Sequence, residues 1–260
     1  MSASSPLPPL SPNAWLRWDT VERIIPAGVG SVLEIGCGQG AVGARLAAAH
    51  DYLGVEPDAQ SCARAQGRVA AVGRGVVRHG LVEDVVEEGR QFDLVCAFEV
   101  IEHVHDDVAA LRAWTGHVRP GGWVLLSVPA FAHRYGPSDA MVGHFRRYDP
   151  DQLAGLMTTT GLTEARTVVY GAGLGNVLEG ARDTLGARRL RKRGLPVPKG
   201  SPAGIDLDTM AEMTSGSGRL FQPPAAAATA VRLGTAPFRV LQRRLPDRGT
   251  GLVGLARKPA

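Results

Sequence analysis

Val32-Leu-Glu-Ile-Gly-Cys-Gly-Gln-Gly40 (VLEIGCGQG) is the stretch on which the fold turns. Val32, Leu33 and Ile35 are apolar around one acid, Glu34, and glycine then recurs at Gly36, Gly38 and Gly40. A short apolar run closed by glycine is the pattern of a parallel strand buried on both faces. The glycines let the backbone turn sharply and approach a ligand closely, and Ala41 to Ala49 predicts a helix. Strand, glycine loop and helix start form a nucleotide pocket at the carboxyl edge of a parallel sheet.

Upstream, Asn13 to Ile25 spaces Trp15, Trp18, Val21 and Ile25 along one face of an amphipathic helix. Its tryptophans read as core, with a lid over substrate as the alternative. Downstream, strands are predicted at Tyr52 to Val55 (ending at Glu56), Val76–Val77, Phe92 to Phe98, Trp123 to Val128 and Thr163 to Tyr170. Between them lie helices capped by Asp58 through Val72, from Asp106 to Val118, and capped by Asp149 through Thr160. This alternation is that of an α/β fold with a parallel doubly wound sheet. Residues 171–248 break the rhythm with glycines, prolines and an Ala-rich helical stretch near Ala225 to Leu245, before a last strand at Gly251 to Arg257. The predicted organisation is a disordered Pro/Ser leader over 1–12, a main domain of 13–170 plus 249–258, and a mostly helical cap over 171–248. The cap separates what reads as a pair of neighbouring edge strands.

A chain of 260 residues suits one large α/β domain with an elaboration. Its net charge of +4 is too mild to support nucleic-acid binding. The one dense basic run, Arg188 to Arg193 (RRLRKR), reads as a solvated face or as a contact with a polyanion or membrane surface. Cys37, Cys62 and Cys96 are odd in number and two lie in strand-like contexts, which suits a reduced, cytoplasmic protein. The N-terminal residues lack the pattern of a secretion signal, and no apolar run reaches the roughly 18 residues of a membrane span.

Gly38-Gln-Gly-Ala-Val-Gly43 matches the G-x-G-x-x-G dinucleotide fingerprint, and Glu56 sits where a ribose-binding acid belongs, so an NAD-dependent oxidoreductase is one reading. Glu34 argues against it, because an acid before the loop suits a cationic ligand and not a pyrophosphate. With Gly36 to Gly40 in the form E-x-G-x-G-x-G and Arg119-Pro-Gly-Gly downstream, the chain resembles the class I S-adenosylmethionine-dependent methyltransferases. LEIGCGQG, GVEPD, FDLVCAFEVIEHV and VRPGGWVLLSVP stand for that family's first four motifs, in order. The resemblance implies a Rossmann-like doubly wound sheet of seven strands, with the cap inserted before the last. It also implies S-adenosylmethionine held by Gly36, Gly38, Gly40 and Phe98, with Glu34 facing the methionine ammonium indirectly and Glu56 accepting from both ribose hydroxyls. The family's adenine-binding acid is missing, since Leu81 stands in its place; Leu81, Val82 or Glu83 would take that contact.

Methyl transfer is an in-line displacement, so the protein positions the acceptor and, for oxygen, removes a proton. Glu99-Val-Ile-Glu-His103 follows strand four and resembles the corresponding turn of ubiquinone-biosynthesis O-methyltransferases and small-RNA 2′-O-methyltransferases, where it is associated with a divalent metal. His103 and His144 are the candidate catalytic residues, as base or as metal ligands, against the plain reading of packed histidines. Arg147 and Tyr148 are candidates to bind an anionic or phenolic substrate, or else pin their loop to the sheet. The leading expectation is O-methylation of a small molecule. RNA 2′-O-methylation with a metal, an NAD-dependent oxidoreductase and a non-catalytic binding module are the alternatives.

Overall fold

The computed structural model describes residues 7–200, 223–245 and 247–260. Its sheet has seven strands: β1 (Ser31–Ile35), β2 (Asp51–Glu56), β3 (Val76–His79), β4 (Phe92–Phe98), β5 (Val118–Pro129), β6 (Thr163–Tyr170) and β7 (Gly251–Arg257). They lie in the order β3-β2-β1-β4-β5-β7-β6. The five strands from β3 to β5 are parallel, while β7 runs antiparallel to β5 and β6. The sheet is therefore mixed. The predicted neighbours β6 and β7 do pair, but β7 lies inside the sheet and β6 forms the edge.

Strand alternation sends side chains to two cores. Leu33, Ile35, Leu53, Val95 and Leu126 face one; Val32, Leu94, Leu125, Val253 and Leu255 face the other. Helices α5 (Asp107–Gly116) and α7 (Pro150–Thr159) cover the first core through Leu111, Trp114, Leu153 and Met157. Helices α1 (Pro12–Ile24), α2 (Gly43–Ala49) and α3 (Ala59–Ala70) cover the second through Leu16, Trp18, Leu46 and Cys62. The short α4 (Val82–Val85) follows β3, and α6 (Pro137–Met141) follows β5. Asp58 caps α3 by accepting the Ser61 N–H at 2.8 Å, and Asp106 caps α5 by accepting that of Ala109 at 2.9 Å.

Of the segment predicted as a leader, residues 7–12 are described. Leu10 is 1% exposed in the second core, and Ser11 accepts the Ala14 N–H at 3.3 Å as the cap of α1. Of the predicted cap, α8 (Leu174–Lys192) and α9 (Ala228–Gln242) are described, and residues 201–222 lie outside the described residues. Gln242 ties α9 to α1, donating to the Leu16 carbonyl at 3.0 Å and to Asp19 at 3.1 Å, and Arg243 pairs with Asp19 at 2.5 Å. The basic run closes α8 with its arginines and lysine exposed, while Leu190 turns inward onto Tyr135 and Ala140. All three cysteines are buried and free. No helix among the described residues is long and apolar enough to cross a membrane.

Candidate functional site

A cavity of about 1000 Å³ opens at the carboxyl ends of β1, β2 and β4, with α1 on one side and α6 and α8 over it. Ten of the twelve sequence-predicted residues line it: Glu34, Gly36, Gly38, Glu56, Leu81, Val82, Phe98, His103, His144 and Arg147. Gly40 and Tyr148 do not.

The three loop glycines share left-handed backbone, with φ of +66°, +53° and +74° for Gly36, Gly38 and Gly40. Their surroundings separate them. A Cβ on Gly36 would fall 2.6 Å from Val100, and one on Gly40 would fall 2.7 Å from the Ala65 backbone in α3. A Cβ on Gly38 would meet nothing within 4 Å, so only Gly38 looks into open space. Its N–H donates to Glu56 Oε2 at 2.8 Å, and the Asp58 N–H donates to Oε1 at 2.9 Å. Each carboxylate oxygen thus keeps a lone pair toward the cavity, the arrangement needed to accept a pair of vicinal hydroxyls. Burial holds the Glu56 carboxyl above its ordinary value in spite of these two donors.

Glu34 is 2% exposed and accepts the Tyr52 hydroxyl at 2.6 Å. Burial raises its pKa to about 7, against the opposing Tyr52 bond. Gly43, the third glycine of the dinucleotide-like spacing, is explained by this pair: a Cβ there would lie 2.3 Å from the Tyr52 oxygen. Its absence of a side chain serves the Tyr52–Glu34 bond, not a pyrophosphate. Beyond β3, Leu81 precedes α4 and is 56% exposed at the cavity wall, with Val82 buried beside it.

Arg17 is among the cavity residues that the sequence reading missed. Arg17 projects from α1 into the cavity, with Nη1 3.4 Å from Glu99 Oε1, its guanidinium over the Phe98 ring, and its buried Nε without an acceptor. The available signal was an arginine between Leu16 and Trp18, both buried, on the apolar side of an amphipathic helix.

After β4 the chain turns at Glu99, a non-glycine residue at φ +58°, into one 3₁₀ turn, Ile101–His103. Glu99 accepts from Ser127 at 3.0 Å and Tyr170 at 3.2 Å, which directs it toward Arg17. Glu102 points elsewhere. It is fully buried, and neither carboxylate oxygen has a hydrogen-bond partner. His144 Nε2 lies 3.8 Å from Oε1, and the His103 and His144 rings stand edge to face at 4.6 Å. Ligand atoms of Glu102, His103 and His144 all lie within 4.8 Å of one another.

Each imidazole is oriented through its far nitrogen. His103 Nδ1 lies 3.3 Å from the Gly143 carbonyl, and His144 Nδ1 lies 2.8 Å from Asp139 Oδ1. A carbonyl only accepts, so the proton sits on Nδ1 of His103 and its Nε2 lone pair faces the cluster. Burial, then the neighbouring His144, lower the His103 pKa to about 3, so its ring is neutral. Burial and the Glu99 charge push the Glu102 carboxyl well above its usual range. Burial opposes the Asp139 charge, but His144 and Arg147 outweigh it and hold that carboxyl low.

Arg147 lines the cavity but is 5% exposed, and Asp139 (2.8 Å from Nε) and Glu179 both pair with it. Tyr148 turns away, donating its hydroxyl to Asp107 at 2.8 Å from within the first core. Between the two readings of the Arg147–Tyr148 pair, these contacts are those of residues that pin the loop.

Comparison with known proteins gives the same account. Residues 14–166, more than half of the chain, match the family model described as a methyltransferase domain. The chain is similar to the ubiquinone biosynthesis O-methyltransferase of Methylobacterium nodulans, 33% identical over 181 residues that cover 62% of this chain and 72% of the relative. It is also similar to the protein of that name from Azorhizobium caulinodans, 37% identical over 98 residues, 37% of this chain and only 39% of the relative. Among solved structures, phosphoethanolamine N-methyltransferase 2 of Haemonchus contortus, in complex with S-adenosyl-L-methionine, superposes with a TM-score of 0.56 at 19% identity, covering 96% of this chain and 54% of that one. A glycine loop with an outward-facing Gly38, a ribose-ready acid at the end of β2 and a match over most of the sheet converge: the chain belongs to the S-adenosylmethionine-dependent methyltransferases.

Proposed function

We propose that the enzyme methylates a hydroxyl of a small-molecule acceptor, and that Glu102, His103 and His144 hold a divalent cation beside the transferred methyl. The observation that carries this reading is the Glu102 carboxylate, buried, without a hydrogen-bond donor, and facing two imidazoles. A buried carboxylate left unpartnered is costly, and a cation bound by two nitrogens and an oxygen would remove that cost. The Gly143 carbonyl and the Asp139 carboxylate behind the rings match the outer contacts that orient metal-ligating histidines. A cation there would lower the pKa of a hydroxyl bound to it.

The residues then divide the work. Glu56 and the Gly38 loop hold the cofactor ribose, Glu34 and Arg17 flank its charged amino-acid end, and His103 and His144 turn their Nε2 atoms toward Glu102. His103 as a free general base is disfavoured, because a ring with pKa about 3 is a weak acceptor at neutral pH. The names of the O-methyltransferase relatives support a hydroxyl as acceptor. The three buried free thiols suit a reducing compartment, and cytoplasmic placement belongs to the same proposal.

Titration of the S-adenosylhomocysteine-loaded protein with Mn²⁺ tests the cluster. One ion per chain is expected, lost in Glu102→Gln and in His144→Ala; saturation with no binding of Mn²⁺, Mg²⁺ or Zn²⁺ would remove the metal from the reading. Radiolabelled methyl transfer to a panel of catechols, phenols and amines tests the acceptor, and transfer to amines alone would refute a hydroxyl. Salt-sensitive labelling of RNA would point to the RNA 2′-O-methyltransferase reading instead.

A further inference from the structure

The cavity is larger than a cofactor site alone. At about 1000 Å³ it sits at the upper end of the roughly 300–1000 Å³ usual for ligand pockets, which leaves room for the acceptor beside the methyl donor. The half away from Glu56 is bounded by His103 and His144 below, by Met141 and Val142 of the α6 segment along the side, and by α8 above. Helix α8 enters it with Arg182, Leu185, Gly186 and Arg189, at spacings of three, four and seven residues, and so with one continuous face. Gly186 permits that approach, since a Cβ there would lie 2.8 Å from the Pro137 carbonyl oxygen.

The charges on this roof do not cancel. Of the acids of α8, Glu179 pairs with Arg134 and Arg147, and Asp183, bonded to the neutral Ser138 N–H at 3.0 Å, is one negative charge against the two arginines of the face. Asp139 is matched by Arg147 and bonded to His144. Arg182 and Arg189 have no carboxylate partner among the described residues. With the Asn13 amide turned so that its oxygen faces Arg182, that oxygen accepts from both terminal guanidinium nitrogens at 2.6 and 3.2 Å, but it is neutral. Two guanidiniums on one helix face, neither paired with a carboxylate among the described residues, are a recognition element for an oxyanion.

We propose that the acceptor is an anion whose carboxylate or phosphate is held by Arg182 and Arg189 while its apolar body lies on Met141, Val142 and Leu185. Its hydroxyl then reaches the Glu102–His103–His144 end. This rests on the function proposed above and names the class of its substrate: a hydroxylated compound with an oxyanion at the opposite end. It also assigns Arg182 and Arg189 as specificity-determining residues, whereas the buried Arg147, matched by two carboxylates, has no charge to offer.

The test titrates the S-adenosylhomocysteine-loaded protein with three probes that share a phenyl ring: phenyl phosphate, benzoate and benzyl alcohol. An anion should bind about tenfold or more tighter than the alcohol. Phenyl phosphate ahead of benzoate identifies a phosphate acceptor, and the reverse a carboxylate. The double variant Arg182→Gln/Arg189→Gln, which keeps an amide donor opposite Asn13, should abolish that preference and leave S-adenosylhomocysteine affinity unchanged. A wild type without anion preference, whether all three probes bind alike or none binds, overturns the proposal, and so does a preference that survives in the double variant. Loss of Mn²⁺ binding with the preference intact would instead count against the metal cluster alone.

Discussion

Glu34 and Glu56 end adjacent strands, yet their surroundings give them opposite tasks. Glu56 takes two backbone N–H bonds and keeps its remaining lone pairs for a ligand, so Glu56→Ala should weaken S-adenosylhomocysteine by at least about 2 kcal/mol, roughly 30-fold, read by calorimetry. Glu34 is buried against Tyr52 with its pKa raised from 4.5 to about 7. An acid with a raised folded-state pKa binds more protons folded than unfolded between those two values. Its favourable share of stability is therefore full below about pH 4.5 and is lost as pH rises to about 7. Glu34→Gln should flatten that decline, and the gap between wild type and variant in denaturant midpoints from pH 4.5 to 7.5 should reach the order of 2–3 kcal/mol. Both acids were legible, because each stands at a fixed offset from the glycines. Arg17 was not: its meaning depends on Glu99 and Phe98, which only folding brings beside it. The hydroxyl contact of Tyr148 was hidden for the same reason, since its partner Asp107 lies on α5.

At the scale of elements, the glycine loop joins two devices that its spacing makes look alike. Gly40 faces α3, where any side chain meets the Ala65 backbone and also demands a left-handed φ. Gly40→Ala should thus cost several kcal/mol and lower the melting temperature steeply. Gly38→Ala carries only the conformational cost, about 1–2 kcal/mol, so its defect should appear in cofactor affinity more than in melting. Equal melting losses for the two variants would refute this division. The roof has its own keystone: Arg147 pairs with Asp139 of α6 and Glu179 of α8, all three buried. Arg147→Ala leaves two buried carboxylates short of a partner and should destabilise by about 3–5 kcal/mol in urea titration. Strand and helix positions were legible from period and caps, but which loop glycine packs and which one faces the cavity was not, because Ala65 and Val100 supply the distinction from elsewhere in the chain.

For the molecule as a whole, a cavity built from β1, β2, β4, α1 and α8 couples the cofactor to most of the fold. S-adenosylhomocysteine at about 100 times its Kd should add about 2.7 kcal/mol, a rise of roughly 5–10 °C in melting temperature, and NAD should add none. A shift with NAD alone would reverse the choice between the two cofactors. The class of fold was readable because five parallel strands alternate with helices. The position of the last strand was not, since succession along the chain places it beside β6 but does not say on which side. It enters between β5 and β6, and that placement bears on the order of synthesis. A nascent chain that has made β1 to β6 carries two facing strand edges with a vacant lane between them, and the strand that fills the lane is translated only after α8 and α9. Unpaired edges of this kind recruit other strands readily. The most hazardous interval in its synthesis is therefore the one in which six strands wait for the seventh.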